Sequence, residues 1–356
     1  MSNSEDTMQT KKKKTGLSLR TRLIIGVMLI TGISIFILAY FSFQRRRELT
    51  NFITALVNQE VQQQSERLLT ETVSHSSEDA NHFFGMVSDD VQVVTDYLIT
   101  LLNQGELLQT TDYWDAQEEL TRFSENQWGN STEDPGSIIA PSSFELTDET
   151  AAEINTSILL DLIAPQTLSA NPNLKALYFV NDKGVTQYYP NIDLANIVGD
   201  FDARKRPYYR AVVPEINPEK ESFWTVPYFD AADGSVVETH SLPVYDEDGN
   251  FRGTVAANVN ITTVTDLVEN IAVGETGYAF LIDPGGRFIV LPESALADFG
   301  LGPEALPEGG IAQRTIFDTE DDIRAFASKM ISGETGLAKP PSYLKCALMP
   351  GLACTQ

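Results

Sequence analysis

The sequence predicts an α+β protein with one transmembrane helix, a long stalk helix and two modules built on antiparallel sheets, the second incomplete. Three observations carry this. Residues 23–43 are an uncharged run of 21 residues; residues 48–102 repeat apolar positions every three or four residues with no proline; and residues 202–261 hold three β-rich runs joined by Asp-Gly turns.

Composition sets the outer bounds. With 356 residues, 42% hydrophobic and 21% charged, the chain is globular and long enough for two modules. Its formal net charge is -25, unevenly spread: residues 1–22 carry six Lys/Arg against Glu5 and Asp6, a net +4, which leaves -29 for the rest. A surface that acidic repels phosphates, so no nucleic-acid partner is expected. The two cysteines, Cys346 and Cys354, lie in the last eleven residues, so the folded region has no disulfide framework.

Residues 1–22 read as a cytoplasmic tail and residues 23–43, LIIGVMLITGISIFILAYFSF, as a membrane anchor. At 1.5 Å per residue the run is about 31 Å long, enough for a bilayer core. A buried helix would show a polar face, and a signal peptide would end in small residues, whereas this run ends in FSFQRRR. The basic residues ahead of it place the amino terminus inside the cell, and the acidic bulk therefore outside the inner membrane.

Residues 44–79 are expected to continue as a stalk helix, with Leu49, Phe52, Ile53, Leu56 and Val57 on one stripe that a second copy would cover in a homodimer. From residue 80 the stripe resumes through Phe83, Val87, Val91, Val94, Leu98 and Leu101, which suits packing on a sheet. Residues 103–150 read as a loop-rich excursion with one short amphipathic piece, 113–123. A helix follows over 148–165, then strands LKALYFV and VTQYYP turned at 181–184. With the runs FWTVPYF, SVVETHSLPVY and FRGTVAANVNI these form one sheet flanked by helices, a first module over 80–265.

In the second module, 266–336, a helix starting at Thr262 or Thr263 connects to a hairpin around Pro284-Gly285-Gly286, and 318–333 is a helix with acids in its first turn. Residues 337–356 contain no acid and no strand alternation and read as an aberrant, truncated end, without the further strands such a module needs.

The motifs D-x-R-x-R-P-Y-Y (202–209), W-T-x-P-Y-x-D-A-A-x-G (224–234) and P-V-Y-D-x-x-G-x-F-x-G-x-V (243–255) follow one another, and 273–293 opens the second module. In these motifs the chain resembles double Cache sensor domains, the PAS-like extracytoplasmic modules of bacterial transmembrane receptors. The resemblance implies a pocket enclosed by Arg206, Tyr208, Tyr209, Tyr228 and Asn258. Arg206 offers a planar fork for a carboxylate, and the tyrosines offer hydroxyls and aromatic walls. Two positions depart from the family pattern: Tyr208 stands for the usual Trp, and Asn258 for an Asp that meets a ligand's ammonium. A carboxylate-bearing ligand is therefore expected, an α-amino acid less so. The plainer reading makes Arg206 a structural ion pair and the tyrosines strand packing.

Other chemistry is weak. Asp230, Asp233, Asp246 and Asp248 sit where hairpin turns are needed and lack the ligand spacing of a calcium loop. His75, His82 and His240 have no zinc spacing, and no catalytic motif appears, so neither cofactor nor enzyme activity is expected. The expected function is ligand sensing for chemotaxis or a related signalling output. The alternative is a membrane-anchored interaction protein with no small ligand.

Overall fold

The computed structural model describes residues 18–105, 113–124, 127–271, 277–302, 314–319, 321–332, 336–338, 345–349 and 352–355. The basic run at 11–14 and parts of the 337–356 end lie outside the described residues. Two compact units are present, Met1–Arg67 and Leu68–Gln356. The described part of the first belongs to one helix, α1 (Leu19–Asn103), which is long and apolar enough to cross a membrane. The helix runs on unbroken past its apolar segment, because residues 44–48, QRRRE, contain no glycine or proline to interrupt it. Leu49, Phe52, Ile53, Leu56 and Val57 are exposed.

The second unit is built on an antiparallel sheet. Ahead of its centre come α2 (Ala116–Glu119), β1 (Thr121–Ser124), β2 (Gln127–Gly129), β3 (Ser137–Ala140), α3 (Asp148–Ser157) and α4 (Ala164–Ala170). The central strands and covering helices follow: β4 (Leu174–Asn181), β5 (Thr186–Tyr189), α5 (Leu194–Val198), α6 (Pro207–Arg210), β6 (Phe223–Trp224), β7 (Tyr228–Phe229), β8 (Val236–Tyr245) and β9 (Phe251–Asn260). Among the described residues nine strands join in the order β1-β2-β3-β5-β4-β9-β8-β6, with β7 also on β8.

Two features of this sheet depart from the sequence expectation. The predicted loop at 103–150 supplies β1 to β3, strands of three or four residues that are too short to show alternation yet complete the sheet by pairing β3 with β5. The run FWTVPYF splits into β6 and β7 because Pro227 has no N–H for the ladder. The expected turns hold: Asp246 accepts from the Asn250 N–H at 2.8 Å, and Asn181 from the Val185 N–H at 2.8 Å. Gly253, at φ +136°, lies so close to the Val180 carbonyl and Asn181 that a Cβ would collide with β4.

Alternation gives the sheet two faces. Leu177, Phe179, Val255, Ala257 and Val259 pack against Val87, Val91, Val94 and Leu98 of α1, all buried in one core. Helix α7 (Ile261–Glu269), capped by Asn260 rather than by a threonine, adds Val264 and Val268 to that core. There it meets Ala279, Leu281 and Val290 around the hairpin β10 (Leu281–Ile282) and β11 (Phe288–Val290). A separate cluster, Phe280, Phe288, Phe299 and Ile316, packs with Ala327 and Met330 of the predicted carboxyl-terminal helix, Asp321–Ile331. Beyond it, β12 (Gly336–Ala338), β13 (Lys345–Met349) and β14 (Leu352–Thr355) form a small sheet where the sequence predicted no strands. Strand pairing there begins upstream of residue 337, and such short runs carry no readable period.

The α1 side of β8 holds two buried ionisable groups. His240 faces Ser88, with 3.5 Å between Nε2 and the hydroxyl, beneath Trp224, and burial lowers its pKa to about 4. Glu238 is 1% exposed, and among the described residues its Oε2 has no hydrogen-bond partner. Burial, with a smaller contribution from the Asp283 charge, pushes its pKa up to about 8. The folded chain therefore keeps this proton up to about pH 8, whereas the unfolded chain releases it near the usual glutamate value. Stability from this group is full in acid and is lost as pH rises through that window. Glu238→Gln should flatten the fall in unfolding midpoint between pH 5 and pH 8, measured on the whole chain in nanodiscs. Parallel curves for the variant and the parent would contradict this assignment.

Candidate functional site

The opposite face of the sheet carries Tyr178 on β4, Thr186 and Tyr188 on β5, Thr239 on β8 and Asn258 on β9. Leu194 and Val198 of α5, then Phe201, Arg206 and Tyr208, cover this face from one side, and Tyr228 to Ala232 close it from the other. All of these except Thr239 and Phe229 line a cavity of about 30 Å³, room for about two waters.

A buried hydrogen-bond network forms the floor. Asn258 Oδ1 accepts from the Tyr178 hydroxyl at 2.8 Å and from the Thr239 hydroxyl at 2.7 Å. Because Thr239 donates to Asn258, the Tyr228 hydroxyl, 2.6 Å from Thr239 Oγ1, must donate in its turn. Every proton in the chain of hydroxyls thus points toward Asn258. Burial raises the pKa of Tyr178, Tyr188 and Tyr208 well above the usual tyrosine range and that of Tyr228 to about 12, so all four stay neutral near pH 7.

The remaining Asn258 donor, Nδ2, reaches Asp230 Oδ2 at 3.3 Å. Lys175 anchors the same oxygen at 2.7 Å and also holds Asp233 Oδ1 at 2.8 Å and Ser235 Oγ at 2.6 Å. Burial works against the Lys175 ammonium, and its bonds to Asp230 and Asp233 outweigh that, raising its pKa. Asp233 gains correspondingly: partial burial opposes its charge, but the Lys175 bond brings its pKa down to about 2. Asp230 and Asp233 are thus committed to Lys175 and the hairpin turn rather than grouped as a cation site.

Arg206 behaves differently from its neighbour. Arg204 is locked to Asp202, with Nε 2.9 Å from Oδ1. Among the described residues no acid pairs with Arg206. Its guanidinium donates to the Phe229 carbonyl and lies over the rings of Tyr228, at 5.2 Å, and Phe201, at 5.9 Å. The ion pair of the plainer sequence reading is absent from this residue.

Four of the five residues singled out in the sequence, Arg206, Tyr208, Tyr228 and Asn258, line one cavity. Tyr209 does not. It follows Tyr208 within α6, where successive residues are turned about 100° apart, and its hydroxyl points to the Asn181 carbonyl at 3.4 Å while its ring packs on Phe251. The sequence reading missed Tyr178, Thr186, Tyr188 and Asp230. A signal for Asp230 was present: it lies two residues after Tyr228, on the same face of an extended segment.

The sequence profile described as Cache domain matches residues 54–328. The chain belongs to the Cache domain family. The methyl-accepting chemotaxis protein PscA of Pseudomonas syringae pv. tomato is 28% identical over 124 residues, 35% of this chain and 18% of that protein. McpA of Pseudomonas putida, also a methyl-accepting chemotaxis protein, is 30% identical over 139 residues, 37% of this chain and 21% of that protein. The chain thus spans about a fifth of the length of the curated relatives it matches. Among solved structures, the ligand-binding domain of the Pseudomonas fluorescens chemoreceptor CtaA in complex with L-isoleucine aligns with a TM-score of 0.47 at 14% identity, over 83% of this chain and 93% of that one.

In this Cache domain the amide at 258 is matched to Asp230, since a carboxylate there would face another carboxylate and lose the Nδ2 donor. Asn258→Asp should lower the unfolding midpoint at pH 8 by the equivalent of about 2 kcal/mol. The loss should shrink at pH 5, because crowding raises the pKa of one of the two acids and protonation then restores a donor. An equal loss at both pH values would show that Asp230 does not face residue 258.

Proposed function

We propose that this chain is the sensing part of a membrane-bound signalling receptor, and that its cavity takes a small zwitterion bearing one carboxylate and one ammonium. The observation that carries the ligand class is the unpaired Arg206 opposite Asp230. Arg206 leaves the fork of its guanidinium available for a carboxylate. Asp230 uses three of about four acceptor positions on Ala232, Lys175 and Asn258, so one is left for an ammonium. Lys175 and Arg206 against Asp230 and Asp233 balance in charge, so a neutral zwitterion adds no net charge to a buried site. A bare carboxylate or a bare amine would add one.

The cavity's small volume is what a domain without a ligand would also show. What supports a ligand is the half-exposed Arg206 guanidinium, which lies over Tyr228 and Phe201 and has no acid paired with it among the described residues. Admission of a ligand requires Arg206 to leave the Phe229 carbonyl, and Tyr208 and Phe201 to shift with it. Strands β8 and β9 carry the cavity on one face and contact α1 on the other. Binding at Asp230, passed on through Asn258 and Thr239, therefore moves Ala257, Val259 and His240 against the helix, which is the proposed route of the signal. The methyl-accepting relatives support a chemotactic output. The apolar segment of α1 and the basic residues ahead of it support a membrane anchor with the sensing unit outside, and the exposed stripe from Leu49 to Val57 supports a dimer.

The test is thermal unfolding of the whole chain in nanodiscs against L-amino acids, simple carboxylates and simple amines. A ligand at 100 times its Kd adds about 2.7 kcal/mol. An amino acid should raise the midpoint of the parent, have no effect on Arg206→Ala and a reduced effect on Asp230→Asn. If the folded parent responds to none of the panel, the acidic-surface interaction protein becomes the better reading.

A further inference from the structure

Beyond the charged end, the cavity contains an unmatched polar atom. Thr186 is 2% exposed and lines the cavity, yet its hydroxyl has no hydrogen-bond partner. Its strand neighbours are Val180 on β4 and Ile139 on β3, both buried, and Leu194 and Val198 line the same cavity. An unpaired hydroxyl in such surroundings costs about 1–3 kcal/mol, and valine would fill the same volume without that cost.

The register places this hydroxyl far from Asn258 and so from the Asp230 carboxylate bonded to it. Asn258 lies opposite Ala176 and Thr186 opposite Val180, four residues along β4, with β4 between β5 and β9. Two strand spacings of about 4.8 Å and four rises of about 3.3 Å put the two Cα atoms roughly 16 Å apart. Only the far end of a ligand held at Arg206 and Asp230 comes near Thr186. The walls there are aliphatic, so a charged tail is excluded by desolvation and a neutral hydrogen-bonding tail is not.

We propose that Thr186 is a specificity-determining residue that selects amino-carboxylates whose long side chain ends in a neutral hydrogen-bonding group, a hydroxyl or an amide. This rests on the amino-carboxylate reading of the cavity given above. Discrimination comes from the hydroxyl: a ligand with an apolar terminus leaves it unpaired, and a ligand with a polar terminus satisfies it.

Two ligands that differ in one group, with chains long enough for that span, make the test: L-2-amino-8-hydroxyoctanoate and L-2-aminononanoate, which exchange a terminal hydroxyl for a methyl. Calorimetric titration of the whole chain in nanodiscs should show the hydroxylated ligand binding about tenfold or more tightly to the parent. Thr186→Val should remove or reverse that ratio while 2-aminononanoate binds as well or better. Without ligand, the unfolding midpoint of Thr186→Val should equal or exceed that of the parent. An unchanged ratio in the variant overturns the proposal, and so does a lowered midpoint, which would mean the hydroxyl is paired within the protein. If neither ligand binds the parent, the amino-carboxylate reading itself fails and this inference falls with it; loss of both ligands in Arg206→Ala separates that case from an altered ratio.

Discussion

The side-chain amide of Asn258 is the point on which the cavity depends. It lies at the middle of the sheet, 2% exposed, where it accepts from two hydroxyls and donates to one carboxylate. A buried amide with those bonds unmade would cost several kcal/mol, so its partners are fixed once it is placed. Tyr178 and Thr239 must donate, Tyr228 must donate to Thr239, and Asp230 must stay a carboxylate near the amide nitrogen. Lys175 then completes the arrangement by tying Asp230 to β4. The network fixes Tyr178, Tyr228, Asp230 and Asn258 at the cavity, whereas the side chain of Arg206 makes its one hydrogen bond among the described residues to a backbone carbonyl. A preorganised floor with one movable charged group suits a site that reports ligand arrival.

The same two strands have a contrasting second face. Where the cavity face of β8 and β9 is polar and saturated, the α1 face is aliphatic, with Val255, Ala257 and Val259 fully buried against valines and leucines of the helix. Close packing makes such an interface sensitive to displacements of a fraction of an ångström. Glu238 and His240 are exceptions within it, each with an unpartnered buried atom. They tie the stability of the helix contact to pH.

Much of the fold was readable from periodicity. The helical stripe through Val87, Val91 and Leu98, the β4–β5 pair and the hairpins turned by Asp-Gly all follow from spacing and turn chemistry. The short strands β1 to β3 did not, because four residues give no period and their pairing depends on a distant strand. The site was half readable. Arg206, Tyr208, Tyr228 and Asn258 carried a motif, but Tyr178, Tyr188 and Thr186 are ordinary strand residues whose direction is set by which face the helix covers. The sequence alone leaves that choice open. Asp230 was assigned to a turn, which it does help to form through the Ala232 N–H; its second role needed Lys175 and Asn258 in view. That role is proposed rather than read from the motif: a carboxylate stands at 230, beside Asn258, where the family pattern implies one at 258.

The central claim is that Arg206 and Asp230 act together on one zwitterion. The most direct measurement is calorimetric titration of the whole chain with three matched compounds: L-norvaline, pentanoate and pentan-2-amine, the last two each keeping one of its charges. The account predicts measurable binding of norvaline and binding at least tenfold weaker for each half. Pentanoate binding as tightly as norvaline would contradict it, because Asp230 would then contribute nothing to recognition.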